Sequence, residues 1–185
     1  KERFNNFLTL KFGSFRYFSY ISTVKRWVLT FKIVMNTKKK IVYFDMDGVL
    51  VNFQSGIDQL DLYHKIEYKE NYDEVPGIFG TMKPNEDMID LFNAMFSDER
   101  YDCYVLSTAP WENPSASSDK VEWIQKYLPK AYKRLILSHN KHLNVGDYLI
   151  DDRTANGAGE FGGELLQYGV THTIEDLKEL FLNNN

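Results

Sequence analysis

The chain has a single cysteine, Cys103, among 185 residues. One thiol excludes an intramolecular disulfide framework and a cysteine-rich zinc module, and it suits a reducing, cytoplasmic setting. Glycine (11) and proline (5) are too scarce for a collagen-like or low-complexity chain. No apolar run reaches the roughly 18 residues that a membrane-spanning helix needs, so no membrane partner is expected. Positive charge is in deficit, with 22 Lys/Arg against 26 Asp/Glu, which argues against a polymeric nucleic acid as partner. What remains is 43% hydrophobic and 26% charged, enough for one domain with a small insertion. The sequence leaves the oligomeric state open.

The charge is unevenly spread. Residues 1–34 carry seven Lys/Arg against one acid (Glu2), a net of +6, while the rest carries 15 basic and 25 acidic residues, a net of −10. The basic part is also aromatic, from Phe4 to Phe31. A polyanion- or membrane-binding arm is one reading. A targeting peptide is another, though the apolar run 27–29 is short and no small-residue cleavage site follows. The favoured expectation is that residues 1–37 are an extension outside the fold, because Met35 opens a Met-Asn-Thr-Lys-Lys-Lys stretch directly before a strand.

Ile41-Val42-Tyr43-Phe44, Cys103-Tyr104-Val105-Leu106, Leu135-Ile136-Leu137, Tyr148-Leu149-Ile150 and Leu165-Leu166-Gln167-Tyr168 are short apolar runs. Runs without polar alternation suit strands of a parallel sheet covered on both faces. Helical spacing lies between them. Met88, Leu91, Phe92 and Met95 form a stripe, with Asn85 as its expected N-cap. Val121, Ile124 and Leu128 form another, opened by Ser117 or Ser118, and Thr173 to Asp176 reads as a capping box before a last helix. Alternation of strands and helices predicts an α/β fold with a doubly wound parallel sheet. Residues 54–100 are too long for one crossover, so a small helical cap is expected there, with 38–53 and 101–185 as the core.

Polar clusters end three of the strands: Asp45/Asp47, Ser107/Thr108 and Asp151/Asp152. In an open α/β sheet that edge binds ligands. Four carboxylates brought together repel one another unless a cation sits among them, and oxygen ligands of this kind suit Mg²⁺ beside a phosphate. Singly, each cluster has a plainer reading: a solvated turn, a strand end, a surface lysine at Lys120. An EF-hand is excluded, since Val49 and Gly56 stand where its loop requires acidic or amide ligands. The four histidines show no zinc-protease spacing, and Cys103 reads as a packing residue.

Asp45-Met46-Asp47-Gly48-Val49-Leu50, a strand ending in Ser107-Thr108, the helical Lys120 and the Asp151-Asp152 pair together resemble the haloacid dehalogenase-like superfamily of aspartate-nucleophile phosphatases. Residues 45–53, the Ser107-Thr108-Ala109-Pro110-Trp111-Glu112-Asn113-Pro114 segment and Leu149-Ile150-Asp151-Asp152-Arg153 are similar to its 5′(3′)-deoxyribonucleotidase family. The resemblance implies a Mg²⁺-dependent phosphomonoesterase acting on nucleoside monophosphates through an aspartyl-phosphate. In that reading Asp45 is the nucleophile and Asp47 the general acid and base, which also lends its backbone carbonyl to the metal. Asp152 is the other metal carboxylate, with Asp151 supporting it or a bound water. Thr108, or Ser107 if the register shifts by one, contacts phosphate together with Lys120 and Lys141. Phe53 contacts the base, and Phe79, with Tyr72, is a candidate stacking ring, although aromatics in a small cap more often form its core. A phosphatase for another small ester, or a non-catalytic binding domain on the same fold, is the alternative.

Overall fold

The computed structural model describes residues 38–183. The expected extension, residues 1–37, lies outside them. The five apolar runs are strands β1 (Lys40–Phe44), β4 (Tyr101–Ser107), β5 (Leu135–Leu137), β6 (Tyr148–Asp151) and β7 (Glu164–Gln167), with β2 (Val51–Asn52) and β3 (Lys83–Pro84) in a separate hairpin. The large sheet runs β5-β4-β1-β6-β7 and is parallel throughout. The chain thus winds outward from β1 in one direction, then in the other, and the reversal point falls at the carboxyl end of β1. This is the doubly wound order that the sequence predicts.

Strand register fixes which acids become neighbours. Phe44 lies opposite both Val105 of β4 and Ile150 of β6. Asp45 and Asp151, the next residues on β1 and β6, are therefore adjacent across the ladder, and the Asp45 N–H donates to Ile150 O at 2.8 Å. Side chains alternate between faces as the pleat requires. Val42, Phe44, Cys103, Val105, Ile150 and Leu166 join the main core, while Tyr43, Leu106 and Leu149 join a smaller cluster with Ala158 and Phe161.

The main core is closed by the helix Glu86–Phe96, whose buried residues include the predicted Met88, Leu91, Phe92 and Met95. Phe92 meets the edge of Phe44 with ring centres 5.0 Å apart. Asn85 occupies the cap position, yet its side chain makes no cap bond. Its backbone N–H instead donates to Leu50 O at 2.8 Å, tying the helix start to the chain just before β2. This helix lies within the 54–100 segment expected as a cap, but it packs on β4 and the last helix. The hairpin pairs Val51 with Pro84 and Asn52 with Lys83, which closes off residues 53–82 as a separate excursion. That excursion holds the helices Phe53–Gln59, Leu62–Glu67 and Ile78–Thr81.

The helix Ala116–Tyr127 departs from expectation in two ways. It opens after Ser115 rather than at Ser117 or Ser118, and the Ser115 hydroxyl is engaged with Asn113 and Asp119 instead of capping. Its buried side is Ala116, Lys120, Trp123 and Ile124, leaving Val121 42% exposed. Trp123 decides that rotation: it is the larger apolar group, and its indole N–H donates to Met82 O at 2.8 Å. With the helix starting at Ala116, Lys120 is its fifth residue and lies one turn in. The final helix, Ile174–Lys178, opens with the predicted box, Thr173 and Asp176 capping each other.

Cys103 is buried in β4, and burial pushes its thiol up to about 12. The native chain should therefore resist iodoacetamide at pH 8 and take up one equivalent only when unfolded in denaturant. Rapid native labelling would show that β4 opens readily.

Candidate active site

Because β1 and β6 pair in parallel, two carboxylates are forced side by side with little water. Asp45 is 2% exposed, and Asp151 is equally buried. Their counter-charge is Lys141, 3% exposed, in the short turn Lys141–Leu143. Its ammonium lies 2.9 Å from Asp45 Oδ1 and 2.5 Å from Asp151 Oδ2. The turn is held to the chain after Asp152 by the Lys141 N–H, which donates to Asn156 O at 2.8 Å.

A second ion pair stands beside the first. Lys120 is fully buried and donates to Asp47 Oδ2 at 2.6 Å and to the Ser107 hydroxyl at 2.9 Å. The Thr108 hydroxyl donates to Ser138 O at 2.9 Å. Asp152 is half-buried, with Arg153 Nε 3.6 Å from its Oδ1. The Arg153 N–H donates to Asp151 Oδ1 at 3.0 Å, so the residue after the pair braces its first member.

Two buried ammonium groups thus face four carboxylates, and acceptors are left over. Asp45 Oδ1, Asp47 Oδ1 and Asp152 Oδ1 are buried and accept no hydrogen bond; the ammonium beside Asp45 Oδ1 lies off the hydrogen-bonding direction. One oxygen each from Asp45, Asp151 and Asp152 lies within 4.8 Å of the others. Unpaired buried carboxylate oxygens are costly, and a hard divalent cation accepts this donor set. Gly48 makes the cradle possible. Its φ is +74°, and a Cβ there would stand 2.5 Å from Asp152 Oδ2. The residues fit a magnesium-sized ion on these grounds, with Asp47 turned to Lys120 instead.

The electrostatics agree. Burial, with the Asp45 charge added, raises the Asp151 carboxyl to about 6 against the opposing pull of Lys141. Burial also raises Asp47, with Lys120 opposing and Asp45 reinforcing, and it raises Asp152 against Arg153. Lys141 is pulled down by burial, but the charges of Asp45 and Asp151 outweigh that and hold it above its usual value.

A cavity of about 580 Å³ opens over this edge, a size suited to a small ligand. Asp47, Gly48, Thr108, Asp152 and Arg153 line its floor side, and Phe53, Tyr72, Trp111 and His139 are among its other lining residues. Of the residues singled out in the sequence, Asp45, Asp47, Ser107, Thr108, Lys120, Lys141, Asp151 and Asp152 converge here, and Phe53 lines the cavity. Phe79 does not. It is wholly buried under Lys120 and offers no face to a ligand.

Three contributors could not be picked out from the sequence. Trp111 and Arg153 stand inside recognisable motifs without evident roles, yet both line the cavity, and Trp111 is 85% exposed. Asn113 is buried, and its amide donates to Asp73 O and Val75 O, each at 2.9 Å. It fastens the excursion to the loop after β4. An Asn-Pro pair looks like an ordinary turn, so no local signal marks it.

A family profile described as 5′ nucleotidase, deoxy (Pyrimidine), cytosolic type C protein matches residues 65–176. A protein of Vibrio phage KVP40 with the provisional name 5′(3′)-deoxyribonucleotidase is 53% identical over 151 residues, covering 81% of this chain and 88% of that protein. The human 5′(3′)-deoxyribonucleotidase, cytosolic type, is 24% identical over 148 residues, covering 64% of this chain and 74% of the human one. A provisionally named counterpart from Staphylococcus aureus strain Mu50 is 32% identical over 79 residues, covering 42% of this chain and 43% of its own. Among the described residues no helix is long and apolar enough to cross a membrane.

Protons and a cation compete for the same oxygens of Asp151 and its neighbours. The carboxyl raised to about 6 implies that added Mg²⁺ raises the thermal midpoint more at pH 7.5 than at pH 5. Equal shifts at both pH values would contradict a site built on these carboxylates. Gly48→Ala should weaken Mg²⁺ binding at least about tenfold by calorimetry, since the methyl displaces the Asp152 carboxylate.

Proposed function

Since the chain belongs to the cytosolic type C 5′-nucleotidase family, we propose that it is a phosphoric monoester hydrolase that removes phosphate from (deoxy)nucleoside monophosphates in the cytoplasm. One observation carries this reading: the Asp45–Asp151–Asp152 oxygen cluster stands beside the Asp47–Lys120 pair at a cavity of nucleotide size.

The proposed reaction is a double displacement at phosphorus. An Asp45 carboxylate oxygen forms a bond to phosphorus while the ester P–O bond breaks, and the Asp47 carboxyl passes its proton to the departing nucleoside oxygen. Asp47, now a carboxylate, takes a proton from water as the water oxygen attacks the aspartyl-phosphate. Phosphate leaves and Asp45 is restored. Burial raises the Asp47 carboxyl, and a donor at neutral pH needs that shift. Splitting hydrolysis into two transfers is the gain from a carboxylate nucleophile.

Asp45, Asp152 and the Asp47 carbonyl would hold Mg²⁺, with Asp151 in support; the ion supplies positive charge to the transferring phosphoryl group. Lys141 bridges the Asp45 and Asp151 side chains, and Lys120 holds Asp47 beside the Ser107 hydroxyl. Thr108, which lines the cavity, would turn its O–H from Ser138 O to donate to a phosphate oxygen. Within the expected cap segment, 54–100, the part between β2 and β3 covers the substrate. Glu70, Tyr72, Asp73 and Glu74 line the cavity from there, as does Phe53 at its start, the ring proposed to meet the base.

Phosphate release across deoxy- and ribonucleoside monophosphates and sugar phosphates tests the reading. Nucleotides should lead, EDTA should abolish turnover and Mg²⁺ restore it. Asp45→Asn and Asp47→Asn should each cost at least about a thousandfold in kcat. Full activity in Asp45→Asn would remove the covalent mechanism, and sugar phosphates far ahead of every nucleotide would remove the substrate class. Lys120→Ala should depress kcat strongly; a loss below about twofold would separate that lysine from the reaction.

A further inference from the structure

Lys120 is fully buried, and its ammonium has three near neighbours. One N–H goes to Asp47 Oδ2 and one to the Ser107 hydroxyl. Its third neighbour is an aromatic face: the ammonium stands 4.3 Å from the centre of the Phe79 ring. That distance is within the range of a cation–π contact, which strengthens as both groups lose water. Both are fully buried.

We propose that Phe79 is a positioning residue of the active site, whose ring face holds the Lys120 ammonium where it serves Asp47 and Ser107. The inference rests on the reading of Asp47 as proton donor. Two oxygen partners leave a flexible four-carbon stem free to swing about the line joining them, and a third fixed partner removes that freedom. A plain apolar contact does not do this, because it gives the charge no preferred place. The two groups come from different parts of the fold, Phe79 from the helix Ile78–Thr81 and Lys120 from the helix Ala116–Tyr127. Two further bonds lock these parts together: Trp123 Nε1 to Met82 O at 2.8 Å, and the Gly77 N–H to the Ser115 hydroxyl at 2.8 Å. Phe79 also meets Phe53, whose ring centre is 6.2 Å away at an interplanar angle of 64° and which lines the cavity. Phe79 thus touches both a cavity-lining ring and the lysine of the Asp47 pair.

Replacing Phe79 in the full chain by 4-fluoro-, 3,5-difluoro- and 3,4,5-trifluorophenylalanine tests this. Fluorination drains the ring face of negative charge with little change in size, so packing is kept. We expect kcat to fall stepwise, about tenfold in total, with KM within about twofold, in proportion to the loss of cation binding by the ring. A purely structural role predicts a flat kcat. The second readout needs no turnover. In ¹⁵N-lysine-labelled protein the Lys120 ammonium protons should exchange with water faster at each step. A flat kcat or a flat exchange rate across the series overturns the inference. If the unmodified chain hydrolyses no nucleotide while exchange still follows fluorination, the nucleotidase reading falls and the ring's hold on Lys120 stands.

Discussion

The site depends on one consequence of strand pairing: Asp45 and Asp151 cannot be separated without breaking the register of β1 against β6. Two unit charges 4 Å apart repel by about 4 kcal/mol at an effective dielectric of 20, and little water is present to screen them. Lys141 answers part of that by touching both carboxylates. It cannot answer all of it, because Asp152 follows directly in sequence and brings a third carboxylate oxygen within 4.8 Å. A protein that only needed to fold would place an apolar or amide residue at one of these positions. Keeping all three carboxylates around one point makes sense if a cation completes the charge balance.

The same edge separates two chemically different aspartates two residues apart. Met46 is buried in the main core; Asp45 before it is buried at the end of β1, and Asp47 after it lines the cavity. The chain then bends: the Val51 N–H returns to Met46 O at 2.9 Å, and Gly48 supplies the positive φ that the bend needs. Asp45 faces Lys141 and the other carboxylates, whereas Asp47 faces Lys120. Divergent environments for paired carboxylates are how one site holds a nucleophile beside a proton donor.

Much of this was legible because it is local. Strands apolar on both faces give continuous runs, and their ends carry the acids, so the sheet and the Asp45/Asp47 and Asp151/Asp152 clusters could be read directly. The capping box at Thr173 is four residues long and equally plain. What was not legible depends on distant partners. Nothing near Val121 says that Trp123 will find Met82 O and turn the helix, and nothing near Ser115 says that Asn113 and Asp119 will claim its hydroxyl. Phe79 reads as a stacking ring because its size is visible in the sequence while its burial is not. Trp111 stands in a motif that gives it no role, and its exposure at the cavity appears only in three dimensions.

The insertion is attached to the rest in a way that bears on function. Its fastenings are the Asn113 amide to Asp73 and Val75, the Ser115 hydroxyl to Gly77, Trp123 to Met82, and Lys120 to the Phe79 ring. All of them come from the loop after β4 or the helix next in the chain. That stretch begins at Ser107 and Thr108, the hydroxyls proposed to meet phosphate. The insertion and the stretch after β4 are therefore joined to each other by these bonds, none of which passes through Asp45. On the proposed reading, a ligand that touches Phe53 and Thr108 meets two parts fastened to each other by hydrogen bonds. Contacts remote from Asp45 would then serve to orient the phosphoryl group toward it.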